Sequence, residues 1–162
     1  MPLVPGDAFD PAHLAVAPPL TAAEALTTPT PPLVGLTSLN PLRGRVSAIH
    51  ASAFFHLFEE EQQLHLARAL AGLLSPEPGS LILGAHGGRP VKGLRVEMFR
   101  PNSHGVTMFC HSPESWIEMW ETVFGKGSVK VEASLTEVER KDLIHLTEET
   151  RFYLLVWSVT RL

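Results

Sequence analysis

The stretch Phe152-Tyr153-Leu154-Leu155-Val156-Trp157-Ser158-Val159 constrains the fold more than any other part of the chain, because it is almost continuously apolar. Such a run reads as a central strand covered on both faces. Ahead of it, Val129, Val131, Ala133 and Leu135 alternate with Lys130, Glu132 and Ser134, the period of a half-buried strand. No amphipathic helix separates the two runs, so they are expected to pair antiparallel at one side of a sheet. Further upstream, Arg45–Ile49 is a short β-like run, and Glu59–Leu74 repeats Leu64, Ala67, Leu70, Ala71 and Leu74 at helical spacing. Ser75-Pro76-Glu77-Pro78-Gly79 stops that helix, and Ser80–Leu83 reads as a buried strand running into Gly84, Gly87 and Gly88.

A second helix carries its own punctuation. Ser112 suits the N-cap, Pro113 the first helical position, Glu114 the positive end of the dipole and Gly125 the C-terminal cap. Trp116, Met119, Trp120, Val123 and Phe124 form its apolar stripe. The order strand, helix, strand, helix, strand, strand predicts an α/β fold with a largely parallel sheet and a terminal antiparallel pair. The mixed-sign run Glu137–Arg151 reads as a solvated connector.

The chain changes character near residue 43. Nine of its fourteen prolines precede Arg43, and only Asp7, Asp10 and Glu24 carry charge there. Pro18–Pro41 shows neither helical nor strand period and is expected to be irregular and mobile. This divides the chain into residues 1–44, a Pro-rich loop, and residues 45–162, the α/β part.

Composition narrows the function classes. With 162 residues, 44% hydrophobic and 19% charged, the chain can bury a core and is not a disordered tail. No apolar run approaches the roughly 20 residues of a membrane span, and Met1–Asp10 lacks the pattern of a signal peptide. Net charge is −4 and no basic block is present, which argues against nucleic acid. The single cysteine, Cys110, excludes an internal disulfide framework and fits a reducing cytoplasm.

Several blocks, taken in order, resemble one family. They are Val4-Pro5-Gly6-Asp7-Ala8-Phe9-Asp10, His50-Ala51-Ser52-Ala53-Phe54-Phe55-His56-Leu57-Phe58, Leu73–Ser80, Phe109–Trp116 and the closing apolar run. Together they resemble the C-terminal part of fungal class I S-adenosylmethionine-dependent methyltransferases of the meroterpenoid-pathway kind. The resemblance implies part of a Rossmann-like sheet whose last strand inserts antiparallel. It implies that residues 1–44 hold a remnant of the segment that contacts the donor's adenine. Asp7 would accept a hydrogen bond from the adenine amino group, with Ala8 and Phe9 beside it. His50, Ala51 and Ser52 would sit at the carboxyl end of a parallel strand, where open α/β sheets bind ligands. His50 and His56 are the candidates to orient or deprotonate an acceptor, and Phe54 and Phe55 to line its cavity.

The family also carries a strand and Gly-rich turn around the donor's methionine moiety, and nothing before Asp7 supplies them. Gly84-Ala85-His86-Gly87-Gly88 is no substitute, because Arg89-Pro90 follows it with no helix start. The chain alone is therefore expected to be inactive and not to hold S-adenosylmethionine usefully. Two functional classes follow: a methyltransferase acting on a small natural-product acceptor, alone or in an oligomer, and a non-catalytic scaffold or partner subunit. Each residue singled out has a structural reading as well: Asp7 as an Asx-type turn residue, Phe54 and Phe55 as core, His56 at a helix start. His104, Cys110 and His111, with His86 as a fourth, lack the compact paired spacing of a metal site, and the expectation is no metal. Cys110 and His111, adjacent in sequence, do not form a nucleophile–base pair.

Overall fold

A computed structural model describes residues 3–24, 29–97, 106–139 and 151–162. Its elements are β1 (Ala48–His50), α1 (Glu60–Leu73), β2 (Leu81–Gly88), β3 (Gly93–Glu97), β4 (Val106–Cys110), α2 (Pro113–Phe124), β5 (Val129–Val138) and β6 (Phe152–Arg161). Four strands make one sheet in the order β1-β2-β6-β5, and β3 and β4 pair as a separate antiparallel ribbon. The described residues thus form a mixed α/β fold with two α-helices.

β1 and β2 run parallel, with Ile49 opposite Ile82. β6 lies antiparallel to both β2 and β5, with Leu155 opposite His86 on one side and Leu135 on the other. The terminal antiparallel pair is therefore present. The expectation of a largely parallel sheet needs correction. β1, β2 and β5 share one direction, but β6 inserts between β2 and β5 and makes both of its pairings antiparallel.

One face of this sheet carries Ile82, Leu155, Trp157 and Val159 into a core shared with Leu66, Leu70 and Leu73 of α1 and Trp116, Trp120 and Phe124 of α2. The opposite face carries Leu83 and Val156, both exposed, so β6 is not covered on both faces as its composition suggested.

The helices begin and end where local chemistry dictates. At α2, the Ser112 hydroxyl accepts the Ser115 amide at 3.2 Å and the Ser115 hydroxyl accepts the Ser112 amide at 3.0 Å, a reciprocal cap. Gly125 closes it at φ +88°, where a side chain would be strained. At α1, the Gln62 side chain accepts the Glu59 amide at 3.3 Å, and the chain leaves the helix at Leu74 ahead of Pro76. The strand expected at Arg45–Ile49 lies slightly later. Val46 makes only an isolated bridge to Leu74, and the ladder proper begins at Ala48.

Two further elements depart from expectation. β2 does not stop at Leu83 but continues through the glycines to Gly88, pairing with β6 throughout. The glycines make room: a Cβ on Gly84 would collide with the Ala51 carbonyl, and one on Gly88 with Leu155 and Leu135. The β3–β4 ribbon was not anticipated. Its polarity is inverted, with Leu94 and Val96 exposed while Arg95 is buried. Arg95 lies over the Phe152 ring at 5.0 Å and donates to the Arg151 carbonyl at 2.6 Å. Glu137 and Val138, assigned to a connector, complete β5, and residues 140–150 lie outside the described residues.

Described residues before β1 form only two short 3-10 turns, Ala22–Glu24 and Asn40–Leu42. Leu14 nevertheless enters the core. Asn40 ties the segment together, accepting the Ala15 amide at 2.7 Å and donating to the Pro11 carbonyl at 2.9 Å.

Candidate functional site

The chain just beyond β1 follows the edge of β2 before turning. The Ala51 amide donates to the Leu83 carbonyl at 2.9 Å and the Ala53 amide to the Ala85 carbonyl at 2.7 Å. Between them, the Ser52 hydroxyl accepts the Ala85 amide at 3.1 Å and stands 2.8 Å from Nε2 of His50. With one lone pair engaged by that amide, the hydroxyl can donate its proton to the imidazole. Ala53 turns the chain at φ +51°, a strained conformation for a residue other than glycine. The absent side chain of Gly84 lets the Ala51 carbonyl sit against β2.

This turn separates the candidate residues into groups. His50 stands opposite Leu83 in the ladder, and paired residues share a face. His50 and Ser52 are thus an exposed pair on the face away from the helices. Phe55 is fully buried on the other face, edge-on to Trp116 at 5.0 Å and Trp157 at 5.8 Å. His56 follows it inward and stacks on His86 at 6.0 Å. The two histidines proposed to act on an acceptor therefore belong to opposite faces of the sheet.

Phe54 joins a third group. Its ring meets Phe58 at 5.3 Å, and Phe58 meets Phe9 at 4.9 Å. This brings the Asp7–Phe9 turn against the loop that follows β1. Asp7 is exposed, and its Oδ1 accepts the Phe9 amide at 2.9 Å, the Asx-type turn foreseen as its structural role. Its second carboxylate oxygen has no protein partner among the described residues. Ala8 and Phe9 are half-buried against the core.

Polar groups that the sequence did not place in a site lie beneath this loop. His86 is 2% exposed, and its Nδ1 accepts the indole N–H of Trp157 at 3.0 Å. That bond puts the imidazole proton on Nε2. Burial pushes its pKa down to about 3, aided by the nearby charges of His56 and His111. His111 is 3% exposed and is pushed down to about 4, again by burial first. Gln63, 0% exposed, donates from one amide nitrogen to the carbonyls of Phe58 at 2.8 Å and Phe109 at 2.9 Å. It fastens the loop after β1 to β4. Among the described residues no group of three or more His, Cys, Asp or Glu is arranged to hold a metal ion. No helix among them is long and apolar enough to cross a membrane.

An α/β chain whose final strand inserts antiparallel, with polar side chains at the end of a parallel strand, is the setting in which relatives can be compared. No protein-family profile matches the chain. Individual proteins do, and they are fungal methyltransferases. The O-methyltransferase phiE of a fungus (Fungal sp. strain ATCC 74256) is 34% identical over 104 residues, 64% of this chain and 33% of that protein. The Asnovolin E/Chermesin D methyltransferase nvfJ of Aspergillus novofumigatus is 29% identical over 124 residues, 76% of this chain and 42% of that protein. The methyltransferase ausD of Penicillium brasilianum is 27% identical over 121 residues, 75% of this chain and 42% of that protein. The resemblance to fungal methyltransferases read from the sequence is thus borne out. The chain spans a third to two fifths of the length of these relatives.

Proposed function

We propose that the chain is part of an S-adenosylmethionine-dependent methyltransferase, with a Rossmann-like sheet, acting in the cytoplasm on a small natural-product hydroxyl or carboxylate. The similarity to the fungal methyltransferases carries this reading, and the antiparallel last strand between β2 and β5 supports it. One buried cysteine fits a reducing compartment.

The residues fit one side of the donor. Asp7 keeps an exposed carboxylate oxygen for the adenine amino group, and Ala8 and Phe9 form the turn that holds it. His50, Ala51 and Ser52 present polar atoms at the strand end, where a ribose or an acceptor would be met. Bound there, the donor supplies an electrophilic methyl group. His56 takes the acceptor's proton, steadied by its stack on His86, while Phe54 lines the acceptor and Phe55 backs it from the core. His50, on the other face, meets the donor's ribose together with Ser52 rather than the acceptor.

The cradle for the donor's amino-acid end belongs, on this reading, to the length of the relatives that this chain does not span. Each hydrogen bond to a charged group that is missing costs about 1.5–3 kcal/mol, and every 1.4 kcal/mol is about tenfold in affinity. Calorimetry with S-adenosylmethionine tests the proposal. The chain alone should bind at millimolar strength or worse, and micromolar binding should appear once it is extended by the unmatched portion of a relative. Asp7→Ala in that extended protein should abolish it. Micromolar binding by the chain alone overturns the role given to the cradle. No binding by the extended protein, or indifference to Asp7→Ala, favours the second reading of a non-catalytic partner subunit. The short span relative to the relatives is what recommends that alternative.

A further inference from the structure

The face of the four-stranded sheet turned away from the helices has no cover among the described residues, and Leu83 is 36% and Val156 44% exposed there. A sheet with a parallel β1–β2 part is ordinarily covered on both faces, and a bare apolar strip marks an interaction surface. The registers arrange this face in rows across β1, β2, β6 and β5. One row is His50, Leu83, Ser158, Glu132, and the row beside it is Ala48, Leu81, Thr160, Lys130. On the other side Ala85, Val156 and Ser134 form the next row, with the Ser52 hydroxyl on the Ala85 amide. Leu81, Leu83, Val156 and Ser158 line a depression of about 350 Å³ between them.

These rows carry their own complement. A second copy turned about a two-fold axis along the strands places each row against itself in reverse order. Leu83 then meets Ser158 and Val156 meets Ala85, a larger side chain against a smaller one each time, and every contact occurs twice. At both margins His50 meets Glu132 of the second copy, an imidazole against a carboxylate. Lys130, 2.8 Å from Glu132 in its own chain, falls against Ala48, so these rows bring no like charges together. The eight residues of β2 at about 3.3 Å each, and four strands about 4.8 Å apart, give a footprint of about 500 Å² per copy. Two copies together reach the roughly 1,000 Å² that a specific interface must clear.

We propose that this face is an interaction surface for a second copy of the chain, closing a two-fold symmetric sandwich of two sheets. Leu81, Leu83 and Val156 form its centre, and the His50–Glu132 contacts its two margins. The proposal does not rest on the methyl-transfer reading. His50 is also the residue given to the donor's ribose there, but the chain alone is not expected to hold the donor, so the two roles do not compete in it.

Sedimentation equilibrium of the full chain, without S-adenosylmethionine, is the test. It should show a monomer–dimer equilibrium in the micromolar range. Val156→Lys, an exposed change in the single copy, should weaken the dimer at least about a hundredfold, because a lysine is then buried twice. Its circular dichroism and urea midpoint should match the wild type, which separates a lost interface from a lost fold. Glu132→Lys and His50→Glu should each weaken the dimer about threefold to tenfold, and the double variant should recover most of that loss. A monomer up to about 1 mM overturns the proposal. So does a dimer indifferent to Val156→Lys, or a double variant no better than its parents. The calorimetric test of donor binding is read on a different complex, so either proposal can fail while the other stands.

Discussion

Replacing His86 by glutamine should remove a defined part of the chain's sensitivity to acid. In the folded protein the imidazole is neutral, accepts the Trp157 indole N–H and titrates near pH 3 instead of 6.5. The unfolded chain takes up the proton as the pH falls through 6.5, whereas the folded chain refuses it until about 3. Between those limits the unfolded state binds more protons, so stability falls as the pH falls. Above that window the contribution is fully present, and below it the loss is complete. Each unit of pH within the window costs about 1.4 kcal/mol, so moving from pH 8 to pH 5 costs about 2 kcal/mol through this one residue. His111, shifted in the same direction to about 4, adds a similar loss over the same interval. Glutamine does not titrate there and keeps an oxygen to accept from Trp157. Urea unfolding followed by tryptophan fluorescence at pH 8 and pH 5 measures the effect. The wild type should lose about 2 kcal/mol more than His86→Gln over that interval, whatever the variant's stability at pH 8. An equal loss in both proteins would refute the reasoning, because it would mean that His86 is not a neutral, desolvated group in the fold.

Gln63→Ala should destabilise the chain by about 1–3 kcal/mol, since it strips two half-buried carbonyls of their donor. The comparison is chemical denaturation at pH 8, and a change below about 0.5 kcal/mol would show that water replaces the amide without cost. Ser112→Ala should cost about 1 kcal/mol and Ser112→Gly only a few tenths, because glycine tolerates the cap position. Thermal unfolding with glycine as the worse substitution would contradict the reciprocal cap.

The elements easiest to read in the sequence were those whose boundaries depend on neighbouring residues alone. Ser112, Pro113 and Gly125 bracket α2 through their own backbone chemistry, and the helix spans Pro113–Phe124 between them. β2 was cut short because glycine discourages strands when considered locally. Gly84 and Gly88 are there for the Ala51 carbonyl, Leu155 and Leu135, all distant in sequence. The β3–β4 ribbon escaped for a related reason: its buried position is Arg95, whose partners Phe152 and Arg151 lie far along the chain. The same limit applies to the candidate site. Asp7, His50 and Ser52 could be singled out because they belong to recognisable sequence blocks. His86, His111 and Gln63 owe their character to burial, and no local pattern distinguishes a sequestered histidine from a surface one.

The position of β6 has a consequence for the order in which the chain can assemble. β1, α1 and β2 are consecutive and can organise as soon as they are made, but β2 and β5 are joined only through β6, which follows both. During vectorial synthesis β2 waits with an unsatisfied margin of eight residues, Leu81–Gly88, until a strand some seventy residues later slots into place. Such a waiting margin invites pairing with a wrong strand. Three of its eight residues are glycines, which weaken premature pairing while the native contacts of Gly84 and Gly88 are still to form. The small residues that let the finished sheet pack closely also make the unfinished sheet a poor template for aggregation.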